Sequence, residues 1–250
     1  MPSALSPASQ PAALVTGGAQ RIGRAIVLAL AGAGYAVMIH ANRSLAAAEA
    51  LRGQVARDGG RAGVVAADLA DHDAVLGLVP AAVAAVGPLT LLVNNASEFE
   101  PDEIGHLERN RFDRHFAVNL RAPLFLAQTF AAQAPAGGAI INLLDQRVYR
   151  PTPRFLSYGL TKSGLHVATT TLAQALAPHL RVNAVAPGPT LPNRRQDAET
   201  FALGHGPAPE EVADAALFLA RANNITGETI AVDGGQHIAW QAIKDASNEE

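Results

Sequence analysis

Residues 12–31 read AALVTGGAQRIGRAIVLALA. Ala12–Thr16 is a short apolar run, the pattern of a strand buried on both faces. Gly17-Gly-Ala-Gln-Arg-Ile-Gly23 then turns the chain, and Arg24–Ala31 has helical composition. A strand, a glycine turn and a helix in that order let backbone N–H groups approach a pyrophosphate and aim the positive end of the helix at it. A tight turn without a ligand is the alternative, and the order of elements speaks against it. Gly17, Ile22 and Gly23 are thus expected against a dinucleotide. Arg21 stands where a third glycine is often found, so a guanidinium hangs over the phosphate site or the mouth of the active site.

Downstream, strands and helices keep alternating. Gly34–His40 is a second strand, followed by His40-Ala-Asn42-Arg43-Ser44. A fold preferring NAD places an acid here to hold the ribose hydroxyls. None is present, whereas Arg43 and Ser44 can both bind a phosphate, so NADP(H) is expected. Otherwise Arg43 is simply exposed and Ser44 caps the Ala-rich helix that follows. Ala62–Ala67 is a third strand ending in Asp68-Leu69, where Asp68 accepts from an adenine or caps a turn. Asp71–Val86 reads as a helix that Pro80 should kink or break. Leu89–Val93 is a fourth strand, and the small residues and amides of Asn94-Asn95-Ala96-Ser97 allow the backbone close to a cofactor. Phe99, just past that strand, either lids the core or stacks on a flat ligand. Arg109–Gln133 forms one or two helices. Within them Asn119 is a structural amide or holds a water linking Lys162 to solvent. This alternation implies a parallel sheet with right-handed crossovers.

The chemistry gathers in Ala139–Lys162, AIINLLDQRVYRPTPRFLSYGLTK. Ala139–Leu144 is an apolar strand that surfaces at Asp145, and in open parallel sheets ligands bind beyond the carboxyl ends of the strands. Tyr158 and Lys162, four apart, share a helical face. A free phenol titrates near pH ~10; a cation beside it favours the phenolate and makes the phenol a better proton donor. Tyr-x-x-x-Lys alone also fits an ordinary amphipathic helix. Its helix should run to about Ala177 and stop before Pro178. Leu180–Ala186 is a sixth strand, and Pro187-Gly188-Pro-Thr190 follows, placed to close over a nicotinamide. Leu191–Pro209, with Arg194, Arg195 and Asp197, has the composition of a mobile substrate flap. Glu210–Ala220 is a helix, and Ile230–Asp233 with Gly234-Gly235 forms a seventh strand and its turn. Trp240 anchors an oligomer or covers the core edge.

The chain has 250 residues, 49% hydrophobic and 16% charged, with net charge −3 and no Cys. A large core is possible, and neither disulfide nor thiolate chemistry is. The absence of a basic block argues against nucleic acid, and no apolar run reaches membrane-spanning length. Residues 1–10 and 241–250 read as loose tails around one Rossmann-type domain, 11–240, in a cytoplasmic protein. The reading needs a small-molecule substrate and no metal.

Together the Thr16-Gly17 turn, Asp68, Asn94-Asn95-Ala96, Asn119, Tyr158-x-x-x-Lys162, Pro187-Gly188 and Val232-Asp233-Gly234-Gly235 resemble the short-chain dehydrogenase/reductase family from about Pro11 to Trp240. The resemblance implies a homotetramer. It also implies roles for Asn119, Tyr158 and Lys162 in catalysis and, with Tyr158 and Lys162, for His40, Asn42, Leu69, Asn95 and Ala96 in holding the cofactor. Most members carry a Ser thirteen residues before the Tyr, and this chain carries Asp145. That change, with Arg21, His40–Ser44 and Asn95-Ala-Ser97-Glu-Phe99, resembles the pteridine reductase branch. There Arg21 and Ser97 would contact cofactor and substrate, Phe99 would press a pterin against the nicotinamide, and Asp145, Tyr158 and Lys162 would be the triad.

Charge sign gives an independent reason for Asp145. Reducing C=O builds negative charge on oxygen, which an ionised Asp145 repels. Reducing C=N passes through a protonated, cationic nitrogen, which a carboxylate stabilises. The leading expectation is therefore an NADPH-dependent pteridine reductase-like enzyme acting on a pterin or dihydrofolate. The alternatives are a ketone or 3-oxoacyl reductase of the same family and an NADP-sensing protein without turnover.

Overall fold

The computed structural model describes residues 10–190 and 201–239. The elements are β1 (Ala12–Val15), α1 (Arg21–Gly32), β2 (Ala36–Ala41), α2 (Leu45–Arg57), β3 (Arg61–Ala66), α3 (His72–Val86), β4 (Leu91–Asn94), α4 (Arg109–Phe116), α5 (Ala122–Ala131), β5 (Gly138–Leu143), α6 (Leu156–Leu176), β6 (Leu180–Pro187), α7 (Pro209–Arg221) and β7 (Thr229–Val232). The strands form one sheet in the order β3-β2-β1-β4-β5-β6-β7, and every pairing is parallel. This is the expected single-domain Rossmann-type α/β fold. The order reverses between β1 and β4, and a crevice opens beyond the strand ends at such a switch.

Strand periodicity explains the two layers. Ala13 and Val15 face one side with Ile26, Leu30, Leu51, Val55, Val212 and Leu219 of α1, α2 and α7. Ala12 and Leu14 face the other with Val75, Leu78, Val79, Leu126 and Phe130 of α3 and α5. Successive side chains of a strand point to opposite faces, so both faces of β1 must be apolar. Each such fully buried Leu or Ile stabilises the fold by roughly 1.5–3 kcal/mol.

Pro80 does not end a helix. α3 is continuous from His72 to Val86, and Pro80 lies on its exposed face, where water can take the carbonyl that loses its partner. Asp71 caps α3 by accepting from the N–H groups of Asp73 and Ala74. Asn119 lies in a single wide turn, Ala117–Arg121, with π-helical bonding between α4 and α5. Trp240, the tail beyond it and flap residues 191–200 lie outside the described residues.

Candidate active site

The turn after β1 is held from three sides. The Thr16 hydroxyl accepts from the N–H groups of Asn95 and Ala96, and the Asn95 amide donates to the Thr16 and Gly17 carbonyls. A Cβ on Gly23 would collide with the Gly17 carbonyl and the Asn95 amide, so glycine is required there. Arg21 has φ +52, a left-handed conformation that side chains adopt at a cost. It projects its exposed side chain from the first turn of α1. Gln20 gives α1 no side-chain cap and its first turn has no acid, so the positive helix end is open to an anion.

His40 is not at the cofactor surface. It is 2% exposed, its Nδ1 accepts from the Gly17 N–H, and its Nε2 faces the Ala67 carbonyl at 3.1 Å. Only the neutral ring with hydrogen on Nε2 satisfies both bonds. Burial lowers its pKa in the same sense. His40 therefore ties the glycine turn to the ends of β2 and β3. Beyond it, Asn42 and Arg43 are exposed and Ser44 is half-buried. Ser44 occupies the N-cap position of α2 without making a side-chain cap bond, so its hydroxyl is uncommitted there. Asp68 accepts from the Ala70 N–H at 3.0 Å and pairs with Arg114 at 3.2 Å. The Ala70 bond first, then Arg114, holds its carboxyl below the usual range. Leu69 is buried in the core. Arg114 also grips Glu98 at 2.7 Å.

At the end of β5, Asp145 opens a 3₁₀ turn, Gln146–Val148, and accepts from the Arg147 N–H at 2.8 Å. The Arg147 guanidinium returns to the same carboxylate at 2.9 Å, and the Tyr158 hydroxyl donates to it at 2.9 Å. Asp145 thus faces three donors, the environment of an ionised acceptor. Tyr158 and Lys162 share a face of α6 as the spacing requires. Lys162, however, donates to the Leu143 carbonyl at 2.7 Å, and its Nζ lies 5.7 Å from the Tyr158 ring centre. The phenol is not made more acidic. Burial and then the Asp145 charge push its pKa well above the ordinary value, because both oppose a second anion. Burial also brings the Lys162 ammonium down to about 8, against a raising contribution from Asp145.

Phe99, 47% exposed, stacks on Phe155 at 4.4 Å and meets Tyr158 edge-on at 4.7 Å. Arg147 lies 5.2 Å from the Phe155 ring centre and 5.6 Å from that of Phe99. Asn119 is a structural amide. Its oxygen accepts from Glu98 N–H and the exposed Ser97 hydroxyl, and its nitrogen donates to the Glu98 carbonyl and Thr161. A second buried chain holds the Phe99 segment. Glu100 N–H donates to His115 Nε2, His115 Nδ1 meets the Ser157 hydroxyl at 2.6 Å, and Ser157 donates to Asp102. Pro187-Gly188 is backed by β7, the Gly188 N–H donating to the Val232 carbonyl.

Residues 11–201 match the profile of the short chain dehydrogenases. The chain belongs to the short chain dehydrogenase family. Among solved structures in this fold, it is 48% identical to FolM alternative dihydrofolate reductase 1 from Brucella suis in complex with NADP. The match covers 93% of this chain and 97% of the other, with TM-score 0.89. The Brucella canis counterpart, also complexed with NADP, is 46% identical, with TM-score 0.90 and coverage of 95% and 98%. A more distant short chain dehydrogenase relative, L-xylulose reductase of Mesocricetus auratus, is 36% identical over 89% of this chain and 95% of its own. Sequence reasoning missed Arg147, Phe155, Arg114 and the His115–Ser157–Asp102 chain. Arg147 had one available signal, its place two residues beyond Asp145, where an Asp commonly caps a turn.

Proposed function

We propose that the chain is an NADPH-dependent reductase of a C=N bond in a pterin or dihydrofolate-like ring. The carrying observation is the Asp145 carboxylate, hydrogen-bonded to the Tyr158 hydroxyl at 2.9 Å. Two similar structures named as FolM dihydrofolate reductases support it.

The residues fit NADPH. The open N-terminus of α1 and the Gly17–Gly23 turn take its pyrophosphate, and Arg43 with the uncommitted Ser44 hydroxyl takes the 2′-phosphate. Asp68 and Leu69 border the adenine end, Asn95–Ser97 line the floor, and Pro187-Gly188 flanks the nicotinamide end. Bound there, NADPH supplies a hydride. The chain's residues manage the proton. Tyr158 stays a neutral phenol because burial and Asp145 both resist its ionisation, so its O–H is the available donor. Asp145 holds that O–H in place. Tyr158 passes that proton to the ring nitrogen and regains one from solvent, so no phenolate is left beside Asp145, and the carboxylate stabilises the positive charge on the nitrogen until hydride arrives and the C=N bond becomes CH–NH. For a C=O bond the same carboxylate would face a developing oxyanion. Lys162 supplies the local cation for the ribose, and Phe99 with Phe155 offers flat faces to the ring.

The L-xylulose reductase relative favours a second reading, carbonyl reduction. An NADPH-consumption assay with dihydrobiopterin, dihydromonapterin, dihydrofolate, L-xylulose and simple ketones separates the two. Turnover of a dihydropterin or dihydrofolate well above any ketone supports the proposal, and turnover of ketones alone refutes it.

A further inference from the structure

Beside the Asp145–Tyr158 pair lies a cavity of about 500 Å³, within the range of small-molecule pockets. Its lining includes Gln146, Arg147, Arg150, Arg154, Phe155 and Gln236. Arg147 and Phe155 also flank Phe99, which meets Tyr158, so the cavity adjoins that aromatic cluster. Among the described lining residues three are arginines and none is acidic. Arg147 is neutralised by Asp145. Arg150 donates to the Gln236 and Ala239 carbonyls, which hold it in place without cancelling its charge. The Arg154 guanidinium has no ion pair or side-chain hydrogen bond among the described residues; only its backbone N–H is engaged, by Thr152. Among the described residues the Gln146 and Gln236 side-chain oxygens are buried without partners, a costly state for a polar atom.

We propose that this cavity is an anion subsite that receives an acidic, amide-linked tail on the reduced ring, the chemistry of a p-aminobenzoylglutamyl group. Arg150 and Arg154 meet the carboxylates, since guanidinium forks match carboxylate geometry. The Gln146 and Gln236 oxygens are closed off from the cavity as it stands, so their amides meet the tail only by turning toward it. The inference rests on the pterin or dihydrofolate reading and deepens it, from the ring alone to ring plus acidic tail.

The test compares wild type with Arg154→Glu and Arg150→Gln. Steady-state kcat/KM is measured with NADPH for dihydrofolate, its diglutamate, a dihydropterin phosphate ester and an uncharged dihydropterin. Binding of p-aminobenzoylglutamate alone is measured by calorimetry. The expected result is a dihydrofolate-to-uncharged ratio that falls at least about tenfold in Arg154→Glu. Fragment binding should be lost in the same variant, and the wild-type KM for dihydrofolate should rise with salt as the exposed charges are screened. A ratio unmoved by both substitutions, with fragment binding unchanged, overturns the subsite while leaving the pterin reading intact. A charge effect on the phosphate ester alone also overturns it. Fragment binding that depends on Arg154 without turnover of any pterin would instead overturn the reading beneath it.

Discussion

Replacing Asp145 with Ser isolates the charge argument. The carboxylate accepts from the phenol that delivers the proton, at 2.9 Å. Once the phenol has passed its proton on and regained one from solvent, the protonated ring nitrogen bonded to it sits roughly 4–5 Å from the carboxylate and roughly 7–8 Å from the Arg147 guanidinium beyond it. At an effective dielectric constant of about 20, the first distance gives about 4 kcal/mol of attraction and the second about 2 kcal/mol of repulsion. Asp145→Ser removes the attraction and leaves Arg147 unopposed, so kcat/KM for an uncharged dihydropterin should fall by roughly two to three orders of magnitude. Adding Arg147→Met should then restore roughly 10- to 30-fold, because the remaining repulsion disappears. Asp145→Ser should also gain some ketone or aldehyde reduction. The assay is NADPH consumption by single and double variants, with unfolding midpoints to confirm folding. An unchanged dihydropterin rate in Asp145→Ser, or a double variant slower than the single, would refute the reasoning.

Other outcomes follow from the same geometry. Arg43→Ala should raise KM for NADPH by roughly 10- to 100-fold, the loss of one charge-assisted bond, while NADH kinetics stay near wild type. Lys162, brought down to about 8 by burial, should give kcat/KM for NADPH an alkaline limb near that pH, absent in Lys162→Met. Its folded pKa lies below the model-compound value of 10.5, so the unfolded chain binds more protons between the two. This group should therefore make the fold more stable as pH rises through that window, which urea midpoints in wild type and Lys162→Met would reveal. Ser157→Ala leaves Asp102 and His115 each short of a buried partner, at about 1–3 kcal/mol. Calorimetry should show a melting point lower by roughly 2–10 °C, and the KM for dihydropterin should rise as the Phe99 segment loosens.

The sheet was legible because seven apolar runs alternate with helical stretches, and parallel strands buried on both faces cannot hide in sequence. The glycine turn, Asp145, Tyr158 and Lys162 were legible because their spacing follows strand ends and helix turns. Strand limits moved by one to two residues: β4 starts at Leu91 rather than Leu89, and β5 at Gly138 rather than Ala139. Such ends are set by sheet register, which sequence periodicity does not encode. Pro80 does not break its helix because its effect depends on which face of the helix it occupies. The acidity of Tyr158 was misread because spacing reports that Lys162 is near, whereas burial and Asp145 decide the balance. Arg147 and Phe155 sit in an aperiodic loop, and Asp102, His115 and Ser157 meet only through folding.

Arg114 joins two carboxylates. One guanidinium holds Asp68, just past β3, and Glu98, next to Phe99. A ligand that draws Asp68 away leaves Arg114 to Glu98 alone, so a change at the first carboxylate is felt at the second through a single side chain. Partly exposed pairs like these are worth about 0–1 kcal/mol each, which bounds any such cross-talk to a few-fold. By reciprocity, a guest that displaces Glu98 must adjust whatever binds at Asp68 by the same modest factor.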